Sequence, residues 1–420
     1  MTHKYDYLDY FRDVPKTGVI YVLEKAYHYG FSNTNKKWAN LGQGAPDTAP
    51  IDENATPLSL NVTPLNSEYA PVSGELALRK KIADYYNKVF RSQKASKYTY
   101  KNVCISGGGR VALSRLVAAM GNINLGHFIP DYTAYEELLS VFRSFVPIPI
   151  NLKPENNFKI SIDELKVEIV NKGLSSLLIS NPCNPTGQSL QSGELQSWIS
   201  LLNELRCLGI FDEFYSHFLY NSKSKTNILS AAEFIDDVNN DPIVIINGMS
   251  KNWRSPGWRI GWMLAPEPII QKVSSVGSFF DGGAVHPLQE AALSIINPDL
   301  VENEAAQLQD TFIKKRDYFV KRVRDMGIQL ECEPDSTFYL WCNLSGLPEP
   351  LNNCLTFFEE CLKENVIVVP GIFFDVNPGK RRLKQHSRYM NNVRLSYGPS
   401  FESLVVGLDN IQRVIDKFSR

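Results

Sequence analysis

From about residue 100 to 265 the chain alternates short, apolar, β-branched runs with longer amphipathic ones, and this rhythm constrains the fold more than any other feature. Strands that alternate with helices must have both sheet faces covered, so the pattern predicts an α/β fold with a parallel or mostly parallel sheet. Candidate strands fall at 102–106, 127–130, 145–149, 176–180, 209–212, 243–247 and 261–265. The helices among them are clearest at 75–87, 111–120 and 193–208. Beyond Pro287 the texture changes to a long charged helical pattern at 300–326, a strand-like run at 337–344, and helices near 355–364 and 401–418. That stretch reads as a second, smaller α+β domain. The first ~50 residues are rich in tyrosine, glycine and asparagine without sustained periodicity, and are expected to lie across other parts of the molecule.

A chain of 420 residues with 43% apolar content can bury a sizeable core. Its formal charge of −1 leaves no global basic field, so neither nucleic acid nor an anionic membrane is an expected partner. Small molecules are. The start MTHKYDYLDYFRDV lacks a basic region followed by an apolar core, and no run of 18 apolar residues occurs, so a soluble protein without an export signal is expected. Seven cysteines form no CxxC pair and no cysteine/histidine cluster with zinc spacing. Reduced thiols in a cytoplasm and no metal are the corresponding expectation.

Chemistry-bearing residues collect just past the expected strand ends, where open α/β sheets place their reactive groups. SKNWRSPGWRIGW, at 250–262, sets Lys251 and Arg259 eight positions apart around an SPG turn. A lysine that bonds an aldehyde must be held where its neutral form is favoured, and a nearby arginine both disfavours a second positive charge and can clamp a phosphate. Without such a ligand Lys251 reads as a solvated surface charge. SNPCNPTG, at 180–187, is either a loop breaker or a proline-stiffened loop that aims the amide of Asn184 at a ligand. FDEFYSHF, at 211–218, ends a strand with Asp212, a carboxylate that needs a cation such as a protonated pyridine nitrogen, and Tyr215 could donate to a ring hydroxylate. His217 has no evident partner and reads as a packing or surface residue. SGGGRVAL, at 106–113, opens a helix with glycines that let backbone N–H groups approach an anion. Tyr132, in IPDYTAYEE, could stack on a planar ring. Arg394, in NNVRLSYG, needs an anionic partner, either a substrate carboxylate or an internal salt bridge.

In this order and at these intervals, SNPCNPTG, DEFY, SKNWRSPGWRIG and NVRLSYG resemble the class I/II aminotransferases, the fold-type I pyridoxal-phosphate enzymes related to aspartate aminotransferase, over about residues 40 to 415. The resemblance implies pyridoxal 5'-phosphate as cofactor, amino acid and 2-oxo acid as substrates, and Lys251 as both the Schiff-base lysine and the proton shuttle. It implies that Asp212 partners the pyridine nitrogen, that Tyr215 and Asn184 bind the phenolic oxygen, and that Tyr132 stacks on the ring. Gly108, Gly109, Arg110 and Arg259 match phosphate-binding positions, and Tyr69 matches a tyrosine that reaches the phosphate of a neighbouring subunit, so a homodimer with shared active sites is implied. Arg394 matches the arginine for the substrate α-carboxylate, with the backbone of Gly44 beside it. The family often carries a phosphate-binding serine three residues before the lysine, where this chain has Gly248. A cis peptide is implied at Asn184–Pro185.

The architecture expected is then a large cofactor-binding domain over 61–290 with a mostly parallel seven-stranded sheet, a small domain over 291–420, and an N-terminal segment, 1–60, joining the small domain. β-Elimination, decarboxylation or racemisation on the same fold stays open, as does, remotely, a non-catalytic sensor. In dicarboxylate-specific relatives an arginine of the partner subunit holds the distal carboxylate, near Val285 by position. This chain has no arginine between Arg259 and Arg316, and offers Phe279, Phe280, Asp281 and His286 instead. Asp281 either faces the pocket and repels a second carboxylate or caps the turn before Gly282 and Gly283. Aspartate is therefore expected to be a poorer donor than neutral, aromatic or cationic amino acids.

Overall fold

The computed structural model describes residues 14, 16, 18–51, 60–142, 144–220, 227–383 and 386–419. In chain order the first part runs α1 (Gly18–His28), β1 (Ala39–Asn40), α2 (Leu76–Val89), β2 (Val103–Ser106), α3 (Gly109–Ala119), β3 (Asn124–Ile129), α4 (Ala134–Val141), β4 (Val146–Asn151), α5 (Ile162–Asn171) and β5 (Ser176–Ser180). It continues with α6 (Ser192–Glu204), β6 (Leu208–Asp212), β7 (Ile243–Gly248), β8 (Gly261–Leu264), α7 (Glu267–Phe280) and α8 (His286–Ile295). The remainder is α9 (Val301–Asp325), β9 (Gln329–Leu330), β10 (Tyr339–Asn343), α10 (Cys354–Lys363), β11 (Val366–Ile367), β12 (Val369–Pro370), β13 (Asn392–Ser396) and α11 (Phe401–Phe418).

A seven-stranded sheet in the order β2-β8-β7-β6-β5-β3-β4 forms the centre, parallel throughout except that β8 runs against both of its neighbours. The sequence of each strand explains how it is buried twice. Along β6 and β7, Ile210, Val244 and Ile246 join one apolar cluster while Phe211, Ile243 and Ile245 join the other. Side chains alternate between faces in a strand, so a near-continuous apolar run fits only a sheet covered on both sides. On the first face lie α3, α4 and α7; on the second lie α2, α5, α6 and α8.

The second sheet is antiparallel, in the order β12-β13-β10-β9, and β1 pairs in parallel with β11. Through that pair the N-terminal part of the chain joins the C-terminal elements. Residues 1–13, with most of the opening tyrosine-rich stretch, lie outside the described residues. One expectation for the remainder needs correction. Residues 18–28 form a helix, α1, whose Gly18, Val22 and Ala26 recur every four positions as a narrow buried seam. So short a stripe is easily missed among the exposed residues around it. No helix among the described residues is long and apolar enough to cross a membrane.

Candidate active site

The C-terminal edge of the large sheet collects the motif loops, because parallel strands end on one side. Ser180 of β5 lies level with Asp212 of β6, and Ser106, Gly261 and Gly248 form a row across β2, β8 and β7. The loops that leave these points surround a cleft of about 320 Å³. Gly44, Gly109, Arg110, Tyr132, Asn184, Asp212, Tyr215, Lys251, Arg259 and Arg394 all line it. Gly108 borders it indirectly. Its φ is +93°, and a Cβ there would lie 2.2 Å from Nη2 of Arg259, so the guanidinium occupies the place of a side chain. Tyr69 is elsewhere on the surface, 95% exposed.

Charge in the cleft is one-sided. Lys251, Arg110, Arg259 and Arg394 line it together with one carboxylate, Asp212. Burial, followed by the fields of Arg259, Arg110 and Arg394, lowers the Lys251 pKa to about 7 against the opposing pull of Asp212. Its neutral form is therefore far more accessible near neutrality than that of an ordinary lysine. Arg259 donates to the Ser250 hydroxyl at 3.3 Å and to the Pro256 carbonyl at 2.9 Å. Arg110 donates through Nε and Nη2 to the Tyr132 hydroxyl at 3.1 and 2.8 Å. Burial and the field of Arg110 lower the Arg259 pKa, as expected of two cations facing one space.

Asp212 accepts a hydrogen bond from the Tyr135 hydroxyl at 2.7 Å. Burial raises its pKa to about 6, opposed by Tyr135, the Phe214 N–H and Lys251. Arg394 reaches in from β13. Its Nη1 donates to Asn184 Oδ1 at 2.9 Å and its Nη2 to the Gly42 carbonyl at 2.7 Å, while its buried Nε has no partner among the described residues. The guanidinium carbon lies 4.2 Å from the Tyr339 ring centre, and the Tyr339 hydroxyl is 2.9 Å from that of Tyr215. Among the described residues no carboxylate pairs with Arg394, whose hydrogen-bond partners are Asn184 and Gly42.

Sequence reasoning missed Tyr339, Tyr135, Val19, Leu113 and Phe214. Tyr135 stands one helical turn after Tyr132 and had that signal. Val19 belongs to the overlooked α1, and Tyr339 arrives from the second sheet. Ser250, beside Lys251, lines the cleft and supplies a hydroxyl near the position that Gly248 leaves without one. His217 is buried against Trp253, with ring centres 4.7 Å apart, and burial lowers its pKa to about 3. It is a packing residue.

One expectation is corrected. The cis bonds are at Ile129–Pro130, Asn181–Pro182 and Glu349–Pro350, not at Asn184–Pro185. Residues 183–187 form a turn closed by Gly187 N–H on the Cys183 carbonyl at 2.9 Å. Asp281 is bonded within its own chain: Arg115 Nε donates to its Oδ2 at 2.8 Å, and its Oδ1 accepts from Gly283 N–H at 2.9 Å. Asp281 therefore caps the turn before Gly282 and Gly283. His286 likewise bonds the Glu68 carbonyl at 3.0 Å, with Glu75 at 3.4 Å.

A family model described as "Aminotransferase class I and II" matches residues 36–397. The chain is 27% identical over 343 residues, 81% of each sequence, to a probable aspartate/prephenate aminotransferase of Aquifex aeolicus. It is 26% identical over 91% of each to an aspartate aminotransferase of Sulfolobus acidocaldarius. Among solved structures it resembles a tetra mutant of Thermus thermophilus aspartate aminotransferase complexed with tryptophan, with TM-score 0.77, 21% identity, and coverage of 98% of this chain and 100% of that one. An aromatic aminotransferase from Pyrococcus horikoshii matches with TM-score 0.73 and 24% identity over 95% of this chain and 99% of that one.

Proposed function

The chain belongs to the class I and II aminotransferases, a family of pyridoxal-phosphate-dependent transaminases, and from that premise we propose how its own residues carry the reaction between an amino acid and a 2-oxo acid. The observation that carries the proposal is the cleft with four cations and one carboxylate, in which burial and the neighbouring arginines lower the Lys251 pKa. Pyridoxal 5'-phosphate fits these groups. Arg259, Arg110, Ser250, Gly108, Gly109 and the N–H groups that the start of α3 leaves without intrahelical partners suit its phosphate. Asp212 suits the pyridine nitrogen, Tyr132 the ring face, and Tyr215 with Asn184 the phenolic oxygen. When bound, the cofactor supplies an aldehyde for covalent capture of amines and a ring that takes up electrons released at the substrate Cα.

Lys251 would hold the cofactor's aldehyde and, when free, would take the substrate Cα proton on its Nζ. Asp212 keeps a proton on the ring nitrogen, and the Tyr135 hydroxyl fixes its carboxylate. Arg394, packed against Tyr339 and already bonded to Asn184 and the Gly42 carbonyl, receives the α-carboxylate beside Gly44 through the N–H donors these bonds leave free, Nε among them. Tyr69, with the exposed Leu65, Phe279 and Val285, supports a homodimer in which it completes the partner copy's phosphate site. The two segments adjoin, since His286 bonds the Glu68 carbonyl. In the same reading the large domain spans 61–290 and the small domain 291–420 with 1–60, and seven free thiols suit a reducing cytoplasm.

Neutral or aromatic amino acids are the proposed donors. The cleft walls include Val19, Leu113, Phe214 and Tyr339, and residues 260–315 contain no arginine for a second carboxylate. A panel of amino donors with a 2-oxo acid acceptor tests this by product analysis. Equimolar new amino acid and new oxo acid are expected, with kcat/KM for neutral donors at least about tenfold above that for aspartate, a difference of about 1.4 kcal/mol. Elimination or decarboxylation products, or aspartate as the best donor, would contradict it.

A further inference from the structure

Two glycines at the anion end of the cleft are explained by space rather than by backbone conformation. Unlike Gly108, neither Gly109 nor Gly248 has a positive φ. A Cβ on Gly109 would lie 2.3 Å from Cε2 and 2.4 Å from Cζ of Phe214. A Cβ on Gly248 would lie 3.0 Å from Cε1 of the same ring, as well as 2.7 Å from the Ile260 carbonyl oxygen and 2.8 Å from Gly261 Cα. Phe214 therefore sits between the start of α3 and the end of β7, in the volume that both side chains would enter. It is 8% exposed and lines the cleft two residues after Asp212. A closely packed wall of this kind does not yield to an added side chain without displacement.

We infer that Phe214 determines how the anionic end of the ligand is held. Its ring excludes a side-chain hydroxyl from position 109, while the Ile260 carbonyl and Gly261 backbone exclude one from position 248, so the anion depends on the guanidinium groups of Arg259 and Arg110, the Ser250 hydroxyl and main-chain N–H groups. This rests on the proposal that the cofactor phosphate lies at the start of α3. A serine at 109 would add a donor there only after the ring has been cut back. Positions 109 and 214 are thus coupled, and the coupling is measurable without turnover.

The test is a double-mutant cycle of Gly109→Ser and Phe214→Val. Inorganic phosphate affinity and melting temperature are measured on the cofactor-free protein, and pyridoxal 5'-phosphate affinity by equilibrium dialysis. Gly109→Ser alone is expected to lower both affinities at least tenfold and to lower the melting temperature. In the Phe214→Val background the same serine is expected to raise both affinities at least tenfold over Gly109→Ser alone. Failure of Gly109→Ser to fold while the double variant folds reports the same coupling. Equal effects of the serine in both backgrounds, or a double variant that folds no better than Gly109→Ser, would overturn the inference. Wild type that binds phosphate but never captures the aldehyde would sink the proposed function and leave this inference standing.

Discussion

Two clefts in this molecule are each lined by four cations, and only one looks like a place for chemistry. The larger, about 950 Å³, has Lys159, Arg316, Lys321 and Arg324 facing Glu194, Asp317, Asp325, Glu333 and Asp335. There Lys159 pairs with Glu194 at 2.9 Å, Arg316 with Asp317 at 2.8 Å, and Arg324 with Glu333. The smaller, about 320 Å³, has Lys251, Arg110, Arg259 and Arg394 around Asp212 alone. Volume misleads, and charge matching discriminates. Surface pairs satisfy one another at little net gain, whereas cations crowded into a half-buried cleft raise each other's free energy until an anion arrives. Burial first, and then the neighbouring cations, lower the pKa values of Lys251 and Arg259.

The largest expected effect separates these regions most sharply. Lys251→Ala should abolish turnover, by at least about a thousandfold, while the protein stays folded, because the side chain is both anchor and proton carrier. The same substitution at Lys321 in the larger cleft should leave turnover within about twofold, as expected of a side chain remote from any functional feature. Steady-state rates and melting temperatures of both variants check the contrast. Asp212→Asn comes next, with the cofactor retained and the rate reduced at least about a hundredfold, since an amide cannot hold a proton on the ring nitrogen. A variant within tenfold of wild type would remove Asp212 from that role.

A matched pair should behave in the opposite way. Arg115 is fully buried and bonds Asp281 and the Val72 carbonyl. Arg115→Met should cost about 3 kcal/mol of stability, read from denaturant unfolding, because it breaks a mostly buried pair. Cofactor affinity per folded molecule should hold within about threefold. A large loss of affinity at unchanged stability would mean that Arg115 belongs with the unmatched group.

The smallest effect is on pH dependence. With Lys251 titrating near 7, capture of pyridoxal 5'-phosphate by the cofactor-free protein should quicken about tenfold per pH unit below 7 and level off above it. Arg110→Gln should move the inflection upward, since one repelling cation is gone. The sign for stability follows from linkage. Between about 7 and the ordinary lysine value of 10.5 the unfolded chain holds the proton and the folded one does not, so this group makes stability rise with pH across that window.

Much of the site was legible because strand-end loops are local: Lys251, Asp212, Asn184 and Arg259 each follow or precede a strand recognisable from its own residues. The seven strands of the large sheet were legible for the same reason, although β3 begins at Asn124, three residues before the expected 127. Partners brought from a distance were not legible. Tyr339 meets Tyr215 across 124 residues of chain, and Asp281 meets Arg115 across 166. No local pattern could separate an aspartate facing a substrate from one held by a buried arginine. Helix α1, whose buried stripe is only one residue wide, brings Val19 to the cleft and was hidden because so narrow and short a stripe barely stands out from the exposed residues around it.

The central claim is that the unmatched cations surround an aldehyde cofactor joined to one particular lysine. Borohydride reduction of the enzyme loaded with pyridoxal 5'-phosphate, followed by peptide mapping, tests it directly. The account predicts a single phosphopyridoxyl label on Lys251. A label on another lysine, or none at saturating cofactor, would contradict it.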